Sequence, residues 1–174
     1  MRSRFFQLQQ RVPLDQFYRY NDLWKWSAIQ LVFSAALIQF TLRGTLISSG
    51  EIDRLLCCAI GDEQTTGKHI DIEEYLLGLC QLSQFLARLA VNSVIAGRLQ
   101  RPAEVLAFLS ELLGALMGFS FRNDQLRKRF DGMKYDVMKV EEVVYDLSVR
   151  GFPIVSAEAG ATALDLKKRP KVET

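Results

Sequence analysis

One run of apolar residues at helical spacing, near the C-terminal end, constrains this chain more than any other feature. Leu126, Met133, Val140 and Leu147 stand seven residues apart, and Phe130, Val137 and Val144 follow the first three by four. On a helix that spacing collects into one continuous stripe, wide enough to bury against other helices or against a second subunit. Asn123 or Asp124 can cap the N-terminus, and Gly151 stands where a helix commonly ends in a left-handed residue. A helix of this kind needs apolar partners.

The rest of the sequence offers them. Pro13 opens a long helix running through about Leu42, in keeping with proline's place in a first helical turn. Leu31, Val32, Ala35, Ala36, Ile38 and Phe40 leave it little polar surface, so it should be central. Ser48 with Glu51 three residues later reads as a capping box for a short helix ending near Gly61. Asp71 with Glu74 repeats the pattern and starts a third helix, carrying Ile72, Tyr75, Leu76, Leu79, Leu82, Phe85, Leu86 and Leu89, that stops at Gly97. Pro102 begins a fourth, through about Met117. No segment alternates as a strand. The expected fold is all-α, a bundle of about five helices: one domain over residues 1–152, followed by a flexible tail over 153–174 that loses its periodicity.

Composition fits that reading. Apolar residues make up 49% and charged residues 24%, as in a soluble globular domain with a real core. A net charge of +2 does not announce nucleic acid, so any basic surface must be local. Three cysteines, Cys57, Cys58 and Cys80, make no disulfide framework and read as small apolar filler in a reducing compartment. The stretch from Trp24 to Phe40 carries Lys25, Gln30 and Gln39, which suits a buried helix rather than a membrane span. Cytoplasm and nucleus are the expected locations.

The polar residues between the apolar ones carry a further signal. Leu126-Arg-Lys-Arg-Phe-Asp-Gly and Lys139-Val-Glu-Glu-Val-Val-Tyr-Asp-Leu-Ser resemble, almost residue by residue, the C-terminal helix of the translin family. Gln16-Phe-Tyr-Arg-Tyr-Asn-Asp-Leu-Trp-Lys-Trp is similar to the family segment, rich in Tyr, Arg, His and Trp, that opens its central helix. His69-Ile-Asp-Ile-Glu-Glu-Tyr-Leu-Leu-Gly, Val91-Asn-Ser-Val and Arg101-Pro fall into line, so the similarity covers about residues 8–152. Family members carry a further long helical segment ahead of the point where this chain starts.

The resemblance implies a protein that binds single-stranded RNA or DNA, assembles with itself into a hollow octameric shell, and partners translin-associated factor X. In that pair the ribonuclease activity belongs to factor X, which cuts RNA such as a passenger strand or a processed tRNA fragment. Its clustered carboxylates hold divalent ions against the scissile phosphate. The equivalent positions here are Gln30, Phe33, Gln81 and Phe85, and none is an anionic ligand. The expectation is therefore no catalytic residue, no metal site and no cofactor.

Other chemistry has little to work with. Asp71, Glu73 and Glu74 cluster at a helix start, where capping and dipole compensation account for them. A single histidine leaves no basis for His-based metal sites or a Ser-His-Asp hydrolase. The loop from Gly61 to Lys68 only superficially resembles a phosphate-binding loop, with one residue too many between its glycines and no preceding strand.

Binding is what remains. Tyr18, Arg19, Tyr20, Trp24, Lys25 and Trp26 combine cations for phosphates with rings for bases, although the same residues could be a core-facing aromatic cluster with its cations reaching water. By the resemblance, Arg19 and Lys25 match basic positions of the family's nucleic-acid segment, whereas Asn21 and Leu23 stand where translins commonly have histidines. Arg127, Lys128 and Arg129, with Lys134, form a second basic cluster, in which Arg127 could simply pair with Asp131. Candidate nucleic-acid contacts are thus Tyr18, Arg19, Tyr20, Asn21, Lys25, Arg127, Lys128 and Arg129. Leu126, Met133, Val140 and Leu147 are either intramolecular core or, as the resemblance implies, a subunit contact. A helical protein-interaction scaffold without nucleic-acid binding is the alternative function.

Overall fold

In the computed structural model, the described residues are 4, 7, 11–13, 16, 18–56, 70–122 and 124–152. They form five α-helices and no strand: α1 (Asn21–Arg43), α2 (Ser49–Leu56), α3 (Ile72–Ile95), α4 (Arg101–Met117) and α5 (Asp124–Val149). A 3-10 turn, Tyr18–Tyr20, leads into α1. None of the described helices is long and apolar enough to cross a membrane. The loop from Gly61 to Lys68, Cys57, Cys58 and the tail after residue 152 lie outside the described residues.

Helix ends follow local chemistry. At α2 the Ser48 backbone N–H donates to Glu51 Oε2 at 3.0 Å, and the Glu51 N–H donates to Ser48 Oγ at 3.3 Å, the reciprocal bonds of a capping box. At α5 the Phe152 N–H donates to the Leu147 carbonyl at 3.1 Å across Gly151, whose φ of 77° is costly for any residue with a Cβ. Pro13 does not open α1. Its carbonyl accepts the Gln16 N–H at 3.2 Å in a turn, and the helix starts at Asn21, after Tyr20 at φ −103° and ψ 3°.

Packing divides the chain into two units, Met1–Phe85 with Ser120–Met133, and Leu86–Phe119 with Lys134–Thr174. In the first, α1 buries Trp24, Ala28, Leu31, Val32, Ala36 and Phe40 along one face. Gly78 lets α3 approach it closely, because a Cβ there would lie 2.6 Å from Val32 Cγ1. The start of α3 is tied down by Ile70, whose N–H donates to Asp53 Oδ1 on α2 at 2.8 Å, and by Tyr75, whose hydroxyl donates to the Ile47 carbonyl at 2.8 Å. In the second unit α4 buries Pro102, Val105, Phe108, Leu109, Leu112 and Leu116.

Leu126, Met133, Val140 and Leu147 are all buried within the chain, as are Phe130 and Val137. They supply intramolecular core, one of the two alternatives that their spacing left open. Ile38, Ile72 and Phe85, expected among the core positions, are instead exposed.

Candidate nucleic-acid interface

The aromatic and basic cluster of α1 divides by helical register. Trp24 and Trp26 are two residues apart, which on a helix places them on opposite sides. Trp24 is 3% exposed and belongs to the core, whereas Trp26 is 61% exposed and can offer its ring to a ligand. Arg19 and Tyr20, in the turn before the helix, are also exposed, and the Arg19 guanidinium carbon lies 6.0 Å from the Tyr20 ring centroid. Tyr18 shares that turn.

Asn21 and Lys25 have partners in the chain. Lys25 Nζ donates to Glu73 Oε1 at 2.9 Å, and this hydrogen bond outweighs partial burial to raise the lysine's pKa. The Asn21 side chain and the Asp71 backbone N–H both donate to the Glu74 carboxylate. Glu74 is only 2% exposed, and its Oε1 has no hydrogen-bond partner. Burial pushes its pKa up to about 7, with the Asn21 bond opposing the rise. The acids at the start of α3 therefore clamp the first turns of α1 and α3 together, a structural task beyond the expected capping. Among the described residues, no group of three or more His, Cys, Asp or Glu could hold a metal ion.

Gln30, Phe33, Gln81 and Phe85 do come together between α1 and α3, in two facing pairs. Gln30 Nε2 donates to Gln81 Oε1 at 3.1 Å, and the rings of Phe33 and Phe85 meet edge to face with centroids 5.7 Å apart. Two neutral amides and two hydrocarbon rings do not fit a divalent cation, which requires oxygen ligands carrying negative charge.

On α5, Arg127, Lys128 and Arg129 are all exposed. Arg129 reaches the α1 cluster: with Trp26 it lines a groove floored by Ile29 and Leu77 and edged by the amides of Gln81, Gln84 and Gln125. Two clusters separated in sequence are thereby joined through one member of each. Sequence reasoning missed Gln84 and Gln125, neutral residues on exposed faces that obey no apolar period. It named Trp24 and Trp26 without choosing between them, although the 24, 28, 31, 32 spacing of the apolar face identifies Trp24 as the buried one.

Residues 1–151 match the family model described as the Translin family. The chain belongs to the translin family. Translin of Gallus gallus is 42% identical over 151 residues, covering 87% of this chain and 65% of the relative. Translin of Homo sapiens is 40% identical over 159 residues, covering 91% of this chain and 69% of the relative. Translin-associated protein X of Pongo abelii is more distant, 26% identical over 174 residues and covering 88% of this chain and 59% of the relative. The chain thus spans about two thirds of the length of the translins it matches. Leu23 is 78% exposed, and the Asn21 amide serves Glu74.

Proposed function

We propose that this translin-family chain binds single-stranded RNA or DNA as a non-catalytic subunit. In the cytoplasm and nucleus it would associate with copies of itself and with translin-associated factor X in an RNA-processing ribonuclease complex. The observation that carries the reading is Arg129, the last residue of the exposed Arg127-Lys128-Arg129 run, lining one groove with the exposed Trp26. Cations for phosphates next to an aromatic face for bases are what a single strand requires. The neutral Gln30–Gln81 and Phe33–Phe85 pairs support assigning RNA cleavage to the partner.

Self-association is supported by a second stripe on α5. Tyr135, Met138, Tyr145 and Val149 are exposed, and with Glu142 they repeat at alternating spacings of three and four, the spacing of a helix–helix seam. That exposed stripe also favours the scaffold alternative, in which protein contacts are the whole function.

Binding of a single-stranded oligonucleotide across a salt series separates the two. The expected affinity falls as salt rises, by roughly 0.7 log units per log unit of salt for each phosphate contact. Replacing Arg127, Lys128 and Arg129 together by Gln should weaken binding and flatten that slope by about 2. A wild-type chain that ignores the oligonucleotide at low salt leaves the scaffold reading standing.

A further inference from the structure

The groove between α1, α3 and α5 has a composition that the general reading does not explain. Its floor, Ile29 and Leu77, is buried and apolar, and Trp26 forms an exposed aromatic edge. Arg129 supplies a permanent cation at the same groove. Three glutamines, Gln81, Gln84 and Gln125, contribute side-chain amides to the lining, each carrying both a donor and an acceptor. A purely electrostatic track for phosphates would need neither the apolar floor nor the amides.

We propose that this groove seats one unpaired nucleobase of the bound strand, with the base against Trp26, its edge on the amide of Gln84, and its phosphate on Arg129. The inference rests on the reading of the chain as a single-strand binder and deepens it by naming where a base, rather than the backbone, is held. An aromatic face takes any base by stacking, while a flexible amide can match donor and acceptor patterns on several base edges. Gln81 contributes less directly, since its amide oxygen already accepts from Gln30. The guanidinium of Arg129 is always charged and can take a phosphate through two parallel hydrogen bonds.

The test compares two ligands of equal length, a single-stranded oligonucleotide and the same sugar-phosphate chain without bases, on the full chain and two variants. Trp26→Ala should weaken binding of the base-bearing strand by roughly tenfold, the size expected for loss of one stacked base, and leave the abasic strand unchanged. Trp26→Phe should restore most of that loss. Arg129→Gln should weaken both ligands by a similar factor. Because Trp26 is exposed, the fold should survive, and an unchanged circular dichroism spectrum checks it. If the wild type binds and Trp26→Ala matches it on the base-bearing strand, the base seat is wrong and the general reading stands. If the wild type binds neither ligand, both are overturned.

Discussion

Replacing Met133 by Ala should destabilise the protein by about 2–5 kcal/mol, the range for truncating a large buried side chain to a methyl group. Met133 is 0% exposed and sits midway along α5, so its removal leaves a void with chain on every side. Met138, five residues on, is 55% exposed. Met138→Ala should therefore change stability by no more than about 0.5 kcal/mol. Chemical denaturation of the two variants reads the difference directly. Met133→Leu keeps the volume and should cost less than about 1.5 kcal/mol. Equal losses at 133 and 138 would mean that the buried and exposed stripes of α5 have been assigned wrongly.

Stability should fall as pH rises from about 5 to 8, and Glu74→Gln should remove most of that fall. Glu74 has a folded-state pKa raised from 4.5 to about 7, because burial disfavours its charge. Between those values the folded chain holds a proton that the unfolded chain has released. The contribution is fully present below pH 4.5 and lost as pH passes through about 7. At about 1.36 kcal/mol per pH unit, the displacement corresponds to about 3 kcal/mol. Glutamine keeps an oxygen to accept from Asn21 and from the Asp71 N–H while carrying no charge, so the variant should be the more stable protein at pH 8. Near pH 4.5 the two should be closely matched. Glu73→Gln is the control: it breaks a partly exposed pair with Lys25 and should cost less than about 1 kcal/mol. A wild type whose denaturation midpoint is flat from pH 5 to 8 would contradict this account of Glu74.

What was legible in the sequence is what local chemistry and helical period determine. Ser48 and Glu51 three apart, Pro102 at the start of α4 and Gly151 after α5 each act on their immediate neighbours, and each does so in the structure. The start of α1 was not legible from Pro13, because a proline compatible with a first turn is equally compatible with the turn that precedes one. The stripe from Leu126 to Leu147 was legible as a buried face but not as to what buries it. An apolar seam has the same spacing whether its partner lies in the chain or in another subunit. Asp71 and Glu74 were read as a cap, yet Glu74 is deeply buried and takes a hydrogen bond from Asn21, on a helix some fifty residues earlier. The meeting of Trp26 with Gln125 and Arg129 depends on tertiary packing in the same way. Gln30 with Gln81, and Phe33 with Phe85, were placed together through resemblance to a family, not through any pattern in the chain.

The most direct test of the central claim is the solution mass of the purified chain, measured by light scattering during size exclusion, alone and with a single-stranded RNA. The account predicts a mass several times the 19.8 kDa of one chain, with the RNA eluting in the same peak. A single chain of 19.8 kDa from which the RNA elutes separately would contradict it.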